Sequence, residues 1–142
     1  MKIRNLIKSD LPQLSKLYEQ FWGEKSDILK MEKQYSIIES EHSHITLVAE
    51  SNNIIVGSVM GIVCKELYDE CRPFLVVENM VVDKNFRKQG IGTVLLKELE
   101  TAAKKLTYTQ MILVTESDST DACSFYEKYG FQKNNKGYKK ML

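Results

Sequence analysis

The chain has 142 residues, enough for one buried core and too few for two, so a single domain over residues 1–142 is expected. With 43% hydrophobic and 27% charged residues it is not a disordered chain. A net charge of +1 argues against a dedicated nucleic-acid binder, and its short apolar runs against a membrane span. Residues 1–7 alternate weakly and predict a strand. Ser9 or Asp10 then caps a helix with Pro12 in its first turn and Leu14, Leu17, Tyr18 and Phe21 on one face. A second helix over residues 27–39 carries Ile28, Met31, Tyr35 and Ile38. Residues 45–49 and 54–63 flank the polar turn Glu50-Ser51-Asn52-Asn53 and predict an antiparallel hairpin.

Residues 74–82 are apolar on both faces, which predicts a central strand. A helix over residues 92–106 aligns Leu95, Leu99, Ala102 and Leu106. A short strand at residues 111–115 follows, then a helix at residues 120–129 that Gly130 stops. Residues 131–133 and 137–141 predict a closing hairpin. The sum is a mixed α/β domain with about seven strands and four helices. Two prolines, seven glycines and no repeat leave no sign of a domain boundary. The opening Met1-Lys2-Ile3-Arg4-Asn5 lacks the apolar core of a signal peptide. Three scattered cysteines, Cys64, Cys71 and Cys123, with no CxxC, fit a reduced, cytoplasmic protein.

The chemistry concentrates after the central strand, where a basic loop with Lys84, Arg87 and Lys88 leads to Gly90 and Gly92 at a helix start. Unpaired N–H groups and the helix dipole favour an anion there, and glycines let a diphosphate approach the backbone. Neither GxGxxG nor GxxxxGK[ST] is present, so the nucleotide folds those motifs announce are unsupported. Glu78 stands in an otherwise apolar strand, where a carboxylate is costly unless it borders a cleft. Simple alternation puts it on one face with Val76, Met80 and Val82. His42 and His44 have no third partner with metal-ligand spacing, so a surface or capping role is expected and no metal. Cys123 has no histidine partner in its motif and reads as a structural thiol. The basic tail of Lys133, Lys136, Lys139 and Lys140 reads as a solvated strand edge.

Arg87-Lys88-Gln89-Gly90-Ile91-Gly92 resembles the R/Q-x-x-G-x-G/A signature of the GNAT superfamily, amine N-acetyltransferases that use acetyl-CoA. Ala122-Cys123-Ser124-Phe125-Tyr126-Glu127-Lys128-Tyr129-Gly130-Phe131 resembles its second hallmark, A-x-x-F-Y-x-x-x-G-F. The resemblance runs from about residue 45 to residue 131 and implies a mostly antiparallel sheet with one splayed parallel pair. It implies that the backbone at Lys88, Gln89, Gly90, Ile91, Gly92 and Thr93, with Arg87 beside it, holds the cofactor diphosphate. The pantetheine arm would pair with Met80, Val81 and Val82 along an edge that a bulge near Asn79 would open. Glu78 is implied as the base, directly or through water, or else as a group that only positions the acceptor's ammonium or pairs with a lysine. Tyr126 is implied as proton donor to the CoA thiolate.

Ser119 stands where the family often has an Asn that bonds the cofactor arm, so that contact weakens or passes through water. Direct transfer to a small amine is the expected reaction, with a homodimer left open. Two other readings stand beside it: a protein or peptide N-acetyltransferase, and a CoA-binding sensor without catalysis. The acceptor side is expected to combine Tyr18, Phe21, Trp22, Glu24 and Asp27 with Glu66, Tyr68, Asp69 and Glu70. Aromatics beside carboxylates suit an organic cation.

Overall fold

The computed structural model describes residues 1–142 and resolves two compact units, Met1–Ile112 and Leu113–Leu142. The first contains strand β1 (Lys2–Asn5), helices α1 (Leu11–Trp22) and α2 (Ile28–Glu41), strands β2 (His44–Ser51), β3 (Ile54–Cys64) and β4 (Phe74–Val82), helix α3 (Ile91–Lys105) and strand β5 (Met111–Ile112). The strands form one sheet in the order β1-β2-β3-β4-β5, antiparallel except for the parallel β4–β5 pair. The second unit holds helix α4 (Thr120–Tyr129). The mixed α/β class, the parallel pair and the four helices are as expected.

The strand count is five, not about seven. Residues 131–133 and 137–141 form no strands. Tyr138 and Met141 are almost wholly exposed there, and lysines and asparagines leave no apolar face whose burial would offset the ordering entropy. The β5 strand is likewise two residues long, with Ile112 and Val114 exposed, rather than a buried run over residues 111–115.

Each face of the sheet is buried against helices. Cross-strand partners point to the same side, so Gly57, Gly61, Val77 and Val82 share the face covered by α3. There α3 contributes the buried stripe Ile91, Leu95, Leu96, Leu99 and Ala103. The opposite face packs Val48, Ile55 and Val81 against Leu11, Leu14 and Leu17 of α1, with Met31 and Tyr35 of α2 partly buried on the cluster.

The close approach of α3 depends on Gly57. A Cβ at this position would lie 3.1 Å from Leu95 Cδ1, 3.2 Å from Ile91 Cγ2 and 3.3 Å from the Val81 carbonyl oxygen. The side chains can shift, whereas the carbonyl belongs to the neighbouring strand and cannot. Gly57→Ala is therefore expected to lower stability by about 1–3 kcal/mol through overpacking, measured by denaturant unfolding. Ile91 is the first residue of α3, so the same change displaces the helix start.

Asp10 does not cap α1 through its side chain. It is buried and accepts hydrogen bonds from Arg4 Nη1 at 2.6 Å, Arg4 Nη2 at 2.9 Å and the Ile7 N–H at 2.9 Å. The Arg4 Nε donates to Glu50 Oε2 at 2.6 Å, joining β1 to β2. Bonding to the Arg4 guanidinium, against the opposing effect of burial, holds the Asp10 carboxyl below its ordinary value. His42 ends α2 in a left-handed conformation, and His44 Nδ1 shares a hydrogen bond with Ser43 Oγ at 2.8 Å. No helix is long and apolar enough to cross a membrane, and no group of three His, Cys, Asp or Glu is placed to hold a metal ion.

Candidate active site

Three features of the first unit come from β4 and the turn after it. The first is a bulge. Met60 pairs with Glu78 and Ser58 with Val81, so the one residue between them on β3, Val59, stands against two on β4, Asn79 and Met80. The extra residue is accommodated at Asn79, whose φ is 49°. The bulge expected near Asn79 is present, and it overturns the expected faces. A one-residue insertion flips every later side chain. Glu78 therefore shares the α1 side with Val76 and Val81, while Val82 turns to the α3 side opposite Gly57.

The second feature is an open strand edge. β4 pairs with β5 only at Leu75↔Met111 and Val76↔Ile112, so its edge carries no β5 partner beyond Val76. The Asp83 N–H donates to the Val56 carbonyl at 2.9 Å. Asp83 and Val81 thus address β3, and alternation turns the backbone groups of Met80 and Val82 to the open side. Val81, grouped with them in the sequence reading, faces β3 with its backbone and the core with its side chain.

The third is the start of α3. Its N-cap is Gly90 at φ 81°, with no side-chain cap and no acidic residue in the first turn. The N–H groups of Ile91, Gly92 and Thr93 therefore have no partner within the helix. Apart from its chain neighbours, no protein atom lies within 4 Å of where a Cβ on Gly90 would stand, so a side chain there would meet open space. Lys84, Arg87, Lys88 and Gln89 are exposed around it. Arg87 Nε donates to the Val82 carbonyl at 3.1 Å, and Gln89 Nε2 to Asn85 O at 3.3 Å. Asp83 is fixed by Gln20 Nε2 of α1 at 2.8 Å and by the Asn85 N–H at 2.8 Å. The Gln20 bond, with further help from that N–H and nearby cations, lowers the Asp83 carboxyl from its ordinary value despite partial burial. An uncapped helix start, open space at Gly90 and a basic rim fit a diphosphate group.

Glu78 is exposed and takes part in none of the ion pairs. Beside the bulge lies a cleft of about 360 Å³ lined by Tyr18, Trp22, Glu24, Lys25, Ser26 and Asn79. Tyr18 and Trp22 meet edge to face at 5.1 Å, and Phe21 packs on Trp22 at 4.9 Å. Asp27 instead caps α2 by accepting from the Lys30 N–H at 3.1 Å. Glu66, Tyr68 and Asp69 line a separate cleft of about 240 Å³, and Glu70 pairs with Arg72 at 3.0 Å. The expected acceptor residues thus do not share one cleft: Tyr18, Trp22 and Glu24 line the first, Glu66, Tyr68 and Asp69 the second, and Phe21, Asp27 and Glu70 neither. Lys25, Ser26 and Asn79 complete the lining of the first cleft, and the sequence did not group them with it. Of these, only Asn79 had a signal, its place beside the lone carboxylate of the strand.

In the second unit, Tyr126 is half-buried on α4, edge to face with Phe125 at 5.1 Å and Phe131 at 5.7 Å. Gly130 closes the helix at φ 117°, and the Phe131 N–H donates to the Tyr126 carbonyl at 3.0 Å. Ser119 precedes α4 with its hydroxyl not used as a cap. Cys123 is partly buried, with its thiol 3.7 Å from the Glu116 carbonyl. Lys133 pairs with Glu127 and Lys139 with Glu116.

The first unit is a mixed sheet whose one parallel pair separates beside an uncapped, glycine-led helix. The model of the acetyltransferase (GNAT) family matches residues 11–131, and the chain belongs to that family. It is 34% identical over 58 residues to streptothricin acetyltransferase A of Bacillus subtilis, covering 41% of this chain and 34% of that protein. Matches to the curated relatives span between 34% and 53% of the relatives' own lengths. Among solved structures, a putative acetyltransferase from Agrobacterium tumefaciens superposes with a TM-score of 0.93 at 21% identity, covering 100% of both chains. A predicted acetyltransferase from Clostridium acetobutylicum, solved with acetyl-CoA, superposes with a TM-score of 0.79 at 19% identity, over 99% of this chain and 96% of that one.

Proposed function

We propose that the protein is an N-acetyltransferase that moves the acetyl group of acetyl-CoA to a primary amine of a small cationic acceptor. The observation that carries this reading is the uncapped start of α3 beside the open edge of β4. The diphosphate rests on the N–H groups of Ile91, Gly92 and Thr93, with Lys88 adding charge. Met80 and Val82 offer the pantetheine arm a strand edge. Arg87, Gln89 and Ser119 complete the cofactor side, and family membership supports acetyl-CoA as the donor.

Acetyl-CoA supplies the activated acetyl carbon. Glu78 takes a proton from the acceptor ammonium, and the freed amine nitrogen bonds to the thioester carbonyl carbon. The carbon–sulfur bond then breaks, the Tyr126 hydroxyl gives its proton to the departing thiolate, and the second proton of the nitrogen passes through solvent to the Tyr126 phenolate, leaving the neutral amide. No acyl-enzyme forms, because neither motif holds an activated nucleophile. On the acceptor side, Tyr18, Trp22 and Glu24 offer aromatic surface and a carboxylate to an organic cation, with Lys25 placing one positive charge on the same cleft. The relative named for acetylating streptothricin supports a small-molecule acceptor over a protein.

The test is a panel of amines at fixed acetyl-CoA with release of free thiol as the readout. Small di- and polyamines are expected to turn over faster than neutral amines or peptides, with intersecting initial-rate patterns. Faster turnover of peptides, or parallel lines with acetylated protein trapped in the absence of amine, overturns the reading.

A further inference from the structure

We propose that Gln20 is a positioning residue for the cofactor: its side-chain amide anchors the start of the diphosphate loop to helix α1. The proposal rests on the reading of the α3 start as the acetyl-CoA side of the site.

Gln20 uses both ends of its amide on consecutive residues of the turn after β4. Its Nε2 donates to Asp83 Oδ2 at 2.8 Å, and its Oε1 accepts from the Lys84 N–H at 3.4 Å. Asp83 passes the hold onward. Its other oxygen, Oδ1, accepts from the Asn85 N–H at 2.8 Å, and its carbonyl accepts from the Phe86 N–H at 2.8 Å. The Asn85 carbonyl in turn accepts from Gln89 Nε2 at 3.3 Å, and Gln89 directly precedes Gly90, the N-cap of α3. A continuous run of hydrogen bonds therefore joins α1 to the residue before the helix start.

The loop depends on such an anchor. Of residues 84–90 only Phe86 is half-buried, and the backbone takes positive φ at Lys88 (61°) and Gly90 (81°). With so little apolar burial, polar bonds set how well the loop is ordered. Helix α1 is a fixed support, because Leu11, Leu14 and Leu17 bury one side of it. Tyr18 and Trp22 line the acceptor cleft from the same helix, and Gln20, two residues from each, lies on another face. Cofactor loop and acceptor wall thus share one support. A loop freed from it must be ordered again when CoA binds, and affinity falls with the fraction of molecules that hold it in place.

The test combines calorimetric titration of CoA with backbone NMR relaxation of the unliganded protein. In Gln20→Ala, CoA affinity is expected to fall about fivefold, the scale of one hydrogen bond. Order parameters at Asn85 and Gln89 should drop from the rigid value of about 0.85 toward about 0.6, while Val63 in β3 keeps its own. Gln20→Glu turns the donor into a carboxylate facing Asp83 and should weaken CoA further. Gln20→Glu with Asp83→Asn reverses the pair, since the new amide can donate where the old one accepted, and net charge is restored. That double variant should bind CoA within about twofold of the original protein, although each single change weakens it. A simple charge effect would instead make Asp83→Asn bind the anionic cofactor more tightly, and that result overturns the anchor. Unchanged affinity or unchanged order in Gln20→Ala, or a double variant as weak as Gln20→Glu, overturns it as well. Failure of the original protein to bind CoA defeats the acetyl-CoA reading itself, whereas binding that Gln20→Ala leaves intact defeats this inference alone.

Discussion

Tyr126→Phe is expected to lower kcat by about 10²–10⁴-fold, roughly 3–5 kcal/mol of barrier, while leaving CoA affinity and folding near their original values. A free thiol titrates near about 8.5 and a phenol near about 10, so the phenol can protonate a departing thiolate without being strongly driven to do so. Some of the thiolate leaves unprotonated, and the reaction is therefore slowed rather than abolished. The substitution isolates the hydroxyl. Tyr126 packs through its ring, edge to face on Phe125 and Phe131, and phenylalanine preserves those contacts. A rate near the original with intact CoA binding means that Tyr126 is a packing aromatic and that the donor lies elsewhere.

The second large effect concerns stability. Arg4→Ala is expected to cost about 3 kcal/mol, because it strips the guanidinium from a buried carboxylate and leaves Asp10 uncompensated. It also frees Glu50, which Arg4 Nε holds at 2.6 Å. The pH dependence follows from the depressed Asp10 carboxyl. A folded-state value below the unfolded one contributes stability that is fully present above the ordinary carboxylate value of about 3.9, and it is lost as pH falls through the folded value. The original protein should therefore lose stability on acidification below about pH 4 more steeply than Arg4→Ala does. Parallel acid limbs in urea unfolding would show that the pair does not carry this contribution.

The fold was legible where one local signal dominates. The β4 bounds, Phe74–Val82, emerge from its apolar run, and Asn52 and Asn53 both take positive φ in the hairpin turn their sequence announces. Features set by a second element were not. Asp10 reads as a helix cap, and only folding brings Arg4 against it. Gly57 reads as a gap in a strand, and its purpose emerges only when Ile91 and Leu95 stand over it. The C-terminal segment alternates enough to suggest strands but buries too little to form them. In the candidate site, the glycine-led helix start was legible because helix termini follow local rules. The bulge was anticipated at Asn79, yet alternation alone mis-assigned Met80 and Val82 to the face of Glu78, since one inserted residue resets the count. Tyr18 and Trp22 were found as neighbours of Glu24, whereas Lys25 and Ser26 carry no signal that would place them in the same cleft.

The central claim, that the start of α3 holds the diphosphate of CoA, is tested most directly by calorimetric titration of CoA into the original protein, Gly90→Asn and Gly90→Asp. A side chain at Gly90 meets open space in the protein, so its effect is read on the ligand rather than on packing. Both replacements carry a similar strain at φ 81°, and the Asn variant measures it without charge. The Asp variant adds a carboxylate where the helix start would face the diphosphate, and its affinity should fall about 10²-fold further. Equal CoA affinity in folded Gly90→Asp and the original protein would contradict the assignment.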